Sequence, residues 1–181
     1  MEAQSGRRVV MEAREIRKAL ERFADEVIES ATDRSNLAIV GIRTGGVHLA
    51  NRLHEIIRSR FQLDLPAGAL DITLYRDDWT RLHNQPLVRS TELPFPIEDR
   101  EIVLIDDVLF TGRTIRAALD ALMDYGRPRR VQVAVLVDRG HRELPICAQF
   151  VGLQMGTAQN EKVNVLLTEK DGLDQVVVEP V

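Results

Sequence analysis

Two adjacent carboxylates, Asp106 and Asp107, are the residues of the sequence with the clearest chemical meaning. They follow the apolar run EIVLI and precede a short polar turn, VLFTGRT, which leads into a helix-like segment. Four residues of that turn offer backbone freedom or donor groups: Thr111, Gly112, Arg113 and Thr114. Hydroxyl and guanidinium donors beside the free N–H groups of a helix N-terminus favour the binding of a phosphate.

The carboxylate pair requires a different ligand group, because it would repel a phosphate. Vicinal hydroxyls fit, since each carboxylate can accept a hydrogen bond from a sugar hydroxyl. The whole string therefore predicts a site for a ribose 5-phosphate. In the plain alternative the two acids only face water or cap a helix. This alternative explains two adjacent acids taken alone, but it explains the complete string VLIDDVLFTGRT poorly.

A second candidate anion site is the segment RTGGV, which follows the apolar run LAIVGI. Gly45 and Gly46 would let the backbone approach an anion, and Arg43 can add positive charge. Taken alone, this segment is equally consistent with a plain strand-to-helix turn. The sequence contains no GxxxxGK[ST] string, which argues against a nucleotide-triphosphate motor or a kinase.

Both segments are predicted to lie at strand ends of an α/β fold. Helical spacing of apolar residues occurs in EIRKALERFADEVIES, GVHLANRLHEIIRSRF and TIRAALDALMDYG. Strands are predicted in NLAIVGI, EIVLIDDV, RVQVAVLVD, AQFVG and KVNVLLTE, and RVQVAVLVD is expected to be buried. This alternation predicts a mostly parallel sheet with helices on both faces. In such sheets ligands bind at the carboxyl ends of the strands.

Three further segments have distinct patterns. GALDITLYR alternates strictly, which predicts a strand with Leu70, Ile72 and Leu74 on one face. EKDGLDQVVVE predicts a terminal hairpin around Asp171 and Gly172. Residues 77–98 contain three prolines and no sustained period, so a long loop is expected there.

The composition is that of an ordinary globular protein. The length of 181 residues suits one domain over residues 1–181, and a net charge of −4 gives no general attraction to nucleic acid or membrane, although a local basic patch remains compatible with it. The absence of an apolar signal core or a membrane-length apolar run predicts a cytoplasmic protein. The single cysteine, Cys147, lies in the apolar string LPICAQFVG and is expected to be buried.

Three strings resemble a known family. VLIDDVLFTGRT resembles the phosphoribosyl-pyrophosphate signature of the type I phosphoribosyltransferases, and LDITLYRDD and AVLVDRGHRELPI are similar to the pyrimidine operon regulator and uracil phosphoribosyltransferase family, often called PyrR. The resemblance runs from about residue 16 to the C-terminus. It implies the type I phosphoribosyltransferase fold, a mostly parallel sheet flanked by helices with a small hood, and we expect a homodimer or homotetramer.

The resemblance also implies the roles of the two strand ends. Asp106 and Asp107 would be catalytic and would hold the ribose 2- and 3-hydroxyls of 5-phosphoribosyl 1-pyrophosphate (PRPP). The adjoining substrate-binding residues would be Val108, Leu109, Phe110, Thr111, Gly112, Arg113 and Thr114. Thr44 and Gly45 would contact the pyrophosphate, and Gly45 stands where many members of the family have an arginine.

The loop after LDITLYR would close over the donor. Arg76 and Arg89 would be catalytic residues that reach the pyrophosphate, and Asp77 would bind magnesium through water. In the plain alternative each of these three is a solvated loop residue. Mg²⁺ itself is expected to be held mainly by oxygens of the donor, because it prefers hard oxygen ligands and retains several waters.

Uracil is the base that the family suggests, framed by Asp138 and Arg139. The neighbouring His141 is either a general base or, as is more common for a lone histidine, a structural residue. Uracil would react with PRPP to give UMP and pyrophosphate. The alternatives are an RNA-binding attenuation regulator that senses the nucleotide in the same pocket, and the same reaction with another base.

The sequence favours the enzyme and predicts weak or absent RNA binding. Residues 14–29 contain four basic and five acidic side chains, so the first helix carries no strong positive charge. Leu153 and Gln159 also stand where many regulators of the family have lysine and arginine. Fewer phosphate contacts lower both the affinity for RNA and its salt dependence.

Overall fold

The computed structural model describes residues 6–78 and 88–181. Its helices are α1 (Ala13–Ser30), α2 (Gly45–Phe61), α3 (Arg113–Met123) and α4 (Thr168–Asp171). Its strands are β1 (Arg8–Glu12), β2 (Leu37–Ile42), β3 (Ala67–Leu70), β4 (Glu101–Leu109), β5 (Arg130–Asp138), β6 (Phe150–Gln154), β7 (Glu161–Leu166) and β8 (Gln175–Pro180).

Five parallel strands form the main sheet, in the order β3-β2-β4-β5-β6. Residues of α1 and α2 pack on one face of this sheet, and residues of α3 pack on the other. Strand β2 is buried along its whole length, as expected for a strand covered by helices on both faces. The predicted α/β fold is confirmed, and the ends of β2 and β4 lie beside each other.

A second, antiparallel sheet of three strands, β1-β8-β7, forms the hood. The predicted terminal hairpin is confirmed as the pair β7 and β8, joined through α4 and Gly172, whose φ of 77° is left-handed. Strand β1 was not predicted. It has five residues and only Met11 is buried, so it presents no periodic pattern.

The strand predicted in GALDITLYR is wrong beyond Leu70. There the Asp71 carboxylate accepts hydrogen bonds from the backbone N–H and the hydroxyl of Thr73, and a short helical turn over Thr73–Tyr75 follows. A side chain that bonds the backbone two residues ahead turns the chain out of the extended conformation. Leu74 is consequently 61% exposed instead of lying on a buried strand face.

Cys147 is exposed, which contradicts the prediction that it is buried. The apolar letters around it suggested a core position. Strand β6 begins only at Phe150, which is the buried residue of that strand, and Cys147 lies in the irregular segment before it.

The predicted loop over residues 77–98 is described only in part. Residues 79–87, which include Trp79, lie outside the described residues, and so does most of the segment expected to close over the donor. Among residues 88–98 the backbone is irregular, with one bridge between Glu92 and Ala69 of β3. In the part of the chain that the structure describes, we find no helix both long and apolar enough to cross a membrane.

Candidate active site

Strand β4 carries Asp106 and Asp107 to the edge of the core. Asp106 is only 6% exposed, and its Oδ1 accepts the backbone N–H of Asp107 at 2.9 Å. Oδ1 of Asp107 accepts the N–H of Val108 at 2.8 Å. Burial, reinforced by the negative charge of Asp107, raises the pKa of Asp106 well above its usual range. Hydroxyl groups that donate to these oxygens would stabilise the charged form.

The segment predicted to bind the 5-phosphate, residues 110–114 and called the phosphate loop below, begins directly after β4. Gly112 has a φ of 93° and precedes the first residue of α3, so only glycine adopts this conformation without strain. A cavity of about 370 Å³ is lined by residues 76–78 and 108–115. The structure thus brings the predicted nucleotide-binding residues 108–114 together around one cavity, with Arg76 and Asp77 beside them.

The segment predicted to bind pyrophosphate, residues 43–46 and called the pyrophosphate loop below, joins β2 to α2. The Arg43–Thr44 peptide bond is cis, and α2 begins at Gly45. A Cβ atom on Gly45 would lie 2.4 Å from Oδ2 of Asp107, so the carboxylate lies directly against the first turn of α2. This contact joins the two strand ends that the sequence predicted to act together.

Arg43 is engaged on the far side of the pyrophosphate loop. Its guanidinium donates to the Ser90 carbonyl at 2.8 Å and to Glu92 at 3.0 Å. Its side chain therefore anchors the segment that follows residues 79–87, and it is not free to add charge at the anion site.

Arg113 of the phosphate loop is held by two carboxylates. It bonds Asp77 and, at 2.7 Å, Glu143, while Arg76 bonds Asp78 at 2.6 Å. All these side chains are at least about a third exposed, and exposed ion pairs of this kind contribute little stability. A phosphate could therefore replace them. Asp77, predicted to bind magnesium through water, is here the partner of Arg113.

Asp71 anchors both sides of the loop that carries the predicted catalytic arginines. Besides Thr73, it accepts the backbone N–H of Arg89 at 2.5 Å, and the Arg89 side chain is exposed. These hydrogen bonds lower the pKa of Asp71 against the opposing effect of its burial. Asp71 is not among the site residues predicted from the sequence, although an aspartate two residues before a threonine is a recognisable turn signal.

The segment predicted to frame the base, residues 138–146 and called the base-side segment below, begins at the last residue of β5. Asp138 and Arg139 are 7% and 5% exposed. The Arg139 guanidinium lies over the ring of Phe110, with Cζ 3.9 Å from the ring centre, and Nη2 donates to the Glu161 carbonyl at 2.8 Å. The side chain of Arg139 therefore connects the phosphate loop to the hood.

Three further contacts refine the predicted base site. The backbone N–H of Arg139 donates to the Leu109 carbonyl at 3.0 Å, so this donor is already used within the fold. Nε2 of His141 lies 2.6 Å from the Thr157 carbonyl, which favours the structural role of His141 over that of a general base. Arg142, which the sequence analysis overlooked, bonds Asp138.

The donor groups of the site suit a magnesium ion that is held together with its ligand. Carboxylate oxygens are the hard ligands that magnesium prefers, and Oδ2 of Asp107 adjoins the pyrophosphate loop. Across residues 6–78 and 88–181 no group of three or more His, Cys, Asp or Glu side chains is arranged to bind a metal.

Comparison with known proteins gives the same class as the fold and site. The family described as "Phosphoribosyl transferase domain" matches residues 10–169. The hypoxanthine phosphoribosyl transferase of Trypanosoma cruzi superposes with a TM-score of 0.74 at 17% identity, covering 99% of this chain and 94% of that one. At that identity the likeness shows the fold alone.

Curated sequences give the narrower relationship. The "Bifunctional protein PyrR" of Syntrophobacter fumaroxidans is 66% identical over 176 residues, which is 97% of this chain and 95% of the relative. The protein of the same name from Deinococcus radiodurans is 53% identical over 167 residues, which is 92% and 91% of the two chains. The chain therefore belongs to the PyrR family of type I phosphoribosyltransferases.

The expectation of weak or absent RNA binding finds no support in these relatives. Their name declares two functions, whereas the expectation rested on a few exchanged side chains and a count of charges. The structure places α1 beside β6, with Nη2 of Arg22 2.6 Å from the Val151 carbonyl. Lys18, Arg22, Gly152 and Leu153 line one shallow groove there, so the two segments considered for RNA form one surface.

Proposed function

We propose that this chain transfers the phosphoribosyl group of PRPP to uracil and releases UMP and pyrophosphate. The observation that carries the proposal is the position of Asp107. It stands between the phosphate loop on its own strand and Gly45 of the pyrophosphate loop on the neighbouring strand. A ribose bound at this point would have its 5-phosphate on one side and its leaving group on the other.

Each part of the site has a role in the proposed reaction. Uracil N1 gives up its proton to water and attacks the anomeric carbon while the bond to pyrophosphate breaks, so positive charge develops on the sugar and negative charge on the leaving group. Asp106 and Asp107 hold the ribose hydroxyls and lie close to the developing positive charge. Catalysis is then mostly positioning and electrostatic stabilisation, with no covalent intermediate on the protein.

The anionic ends of the donor are matched by separate donor groups. The N-terminus of α3 and the side chains of Thr111 and Arg113 bind the 5-phosphate. Thr44 and Gly45 bind pyrophosphate, and Arg76 and Arg89 approach it from the adjoining loop. When bound, Mg²⁺ supplies charge neutralisation on the pyrophosphate oxygens.

We propose uracil instead of another base because of the names and sequence identities of the relatives. A protein named PyrR is 66% identical to this chain, whereas the hypoxanthine enzyme is only 17% identical. Asp138 and the backbone of the base-side segment would face the base. His141 is not assigned a proton-transfer role, because its ring already bonds Thr157.

The test is the formation of UMP from uracil, PRPP and magnesium by the purified chain. The variant Asp106→Asn with Asp107→Asn should fold normally and lose activity by orders of magnitude, because each hydrogen bond to a charged group is worth roughly 1.5–3 kcal/mol. Circular dichroism and thermal unfolding check the fold. A folded double variant with near wild-type turnover would show that the two acids do not bind the ribose.

A second function is favoured by the name of the relatives, which declares two functions. We propose that the chain also regulates pyrimidine genes by binding their leader RNA, using the surface formed by α1 and β6. Lys18 and Arg22 supply positive charge there. Filter binding with that RNA, with and without UMP, tests this function, and affinity equal to that for an unrelated RNA of the same length would refute it.

A further inference from the structure

The buried carboxylate of Asp138 depends on Arg142 for its charge partner. Oδ2 of Asp138 accepts from Nη2 of Arg142 at 2.5 Å, and Oδ1 accepts the N–H of Gly140 at 3.0 Å. The Asp138 side chain is 10% exposed and that of Arg142 is 25% exposed. Burial of a carboxylate this far from water is costly unless such partners bond its oxygens.

The other donors of the same guanidinium reach a different part of the site. Nη1 donates to the Phe110 carbonyl in the phosphate loop at 2.8 Å, and Nε donates to the Ile146 carbonyl at 2.8 Å. The guanidinium is planar and its donors have fixed directions, so these contacts fix the two acceptors relative to Asp138. One side chain thus links the base side of the site with its phosphate side.

The contact with Phe110 controls the direction of a phosphate donor. In a planar trans peptide the carbonyl and the following N–H point in opposite directions. Holding the Phe110 carbonyl on Arg142 therefore fixes the direction of the Thr111 N–H. The next carbonyl, that of Thr111, is held in the same way by the N–H groups of Glu143 and Leu144, at 2.9 and 3.1 Å.

The phosphate loop therefore takes its shape from the base-side segment. Gly112 lies against Ile146, where a Cβ atom would approach the Ile146 Cβ to 3.0 Å. Most hydrogen bonds between the phosphate loop and the base-side segment are backbone bonds. Arg142 adds a side-chain bond to the Phe110 carbonyl, and the same side chain bonds the buried carboxylate of Asp138.

We propose that Arg142 is a positioning residue that couples recognition of the base to binding of the 5-phosphate. Its link from Asp138 to the Phe110 carbonyl holds the phosphate loop in the conformation that accepts a phosphate while the base is in place. This inference rests on the proposed phosphoribosyl transfer at the same site. Arg142 itself contacts neither the ribose nor the reacting atoms in this scheme.

The test is Arg142→Lys, which keeps the positive charge for Asp138 and loses the fork that reaches Phe110 and Ile146. Titration calorimetry would measure ribose 5-phosphate, which has no base, and pyrophosphate with magnesium, which binds at residues 43–46. We expect the affinity for ribose 5-phosphate to fall about tenfold, as for the loss of one hydrogen bond to a charged donor. The affinity for pyrophosphate should stay at the wild-type value.

The matched control is Arg116→Lys, because Arg116 makes an exposed ion pair with Asp120 on α3. It should leave both affinities unchanged. A general loss of structure in Arg142→Lys would lower the affinity for both ligands. A lower affinity for ribose 5-phosphate alone therefore indicates lost positioning and not a destabilised fold. Equal affinity of wild type and Arg142→Lys for ribose 5-phosphate, or equal weakening of both ligands, would overturn the proposal.

A second variant keeps the test decisive if Arg142→Lys does not fold. Asp138→Asn leaves the guanidinium in place and removes its charged partner, so it should also weaken ribose 5-phosphate, although no base is present. Unchanged affinity in Asp138→Asn would contradict the coupling. Failure of the wild type itself to bind ribose 5-phosphate would refute the proposed function instead, which distinguishes the two failures.

Discussion

The variant Gly45→Ala tests the contact between the two strand ends. The new Cβ would lie 2.4 Å from Oδ2 and 2.9 Å from Cγ of Asp107, too close for either atom to stay. The carboxylate ends a flexible side chain, so it can rotate away at modest cost. Rotation would turn the carboxylate away from the ribose hydroxyls and so remove an acceptor for a hydrogen bond that forms only when the donor is bound.

Function should therefore fall while stability does not. The lost hydrogen bond to a charged group is worth about 1.5–3 kcal/mol, which lowers kcat/KM for UMP formation about 10- to 150-fold. Gly45 is the first residue of α2 and its φ is not left-handed, so alanine fits the backbone. The free energy of unfolding should stay within about 1 kcal/mol of wild type.

The assay is steady-state UMP formation beside urea unfolding of the same samples. The control is Gly156→Ala, since a Cβ at that exposed glycine meets no atom within 4 Å, and both measurements should match wild type. Adding Gly45→Ala to Asp107→Asn should cost little further activity, because both changes act through one carboxylate. Near wild-type kcat/KM in Gly45→Ala, or full additivity of the two changes, would refute the reasoning.

Three further variants test the electrostatics. Asp106→Asn should raise the free energy of unfolding of the ligand-free protein, measured with urea. The gain over wild type should grow as the pH rises from about 4, because burial penalises only the ionised form of Asp106. A gain that shrinks with rising pH would contradict this. Arg52 bonds Asp174 at 2.7 Å and lowers its pKa to about 2, so Arg52→Gln should be less stable at neutral pH, and the difference should vanish as the pH falls from about 4 to 2. Arg113→Ala should raise KM for PRPP about tenfold in initial-rate assays, with less than about 1 kcal/mol change in stability, because its ion pairs are exposed.

The main sheet and the meeting of the two strand ends could be predicted because both follow from local pattern. Apolar spacing identifies α1 and the buried strands, and the carboxyl ends of neighbouring parallel strands lie at the same edge of a sheet. The strand predicted beyond Leu70 was wrong because the side chain of Asp71 competes with the extended backbone. Hydrogen bonding of this kind overrides an alternating pattern.

The connections within the site could not be predicted from spacing. Arg142 contacts Phe110, which lies 32 positions away, and Arg139 contacts Glu161 in the hood. Such contacts depend on how the loops fold over each other, and an arginine in a loop is equally compatible with a solvated position. The contact of Asp107 with Gly45 likewise depends on the close packing of α2 on β4.

Competition between bases tests the central claim most directly. The chain would be given PRPP and magnesium with uracil, hypoxanthine and guanine together, and the nucleotide products would be separated and quantified. We predict UMP as the product, with kcat/KM for uracil at least about 100-fold above that for either purine, because a base site that pairs polar groups rejects mismatched edges strongly. Purine nucleotide formed as efficiently as UMP, or no UMP at all, would contradict the proposed reaction.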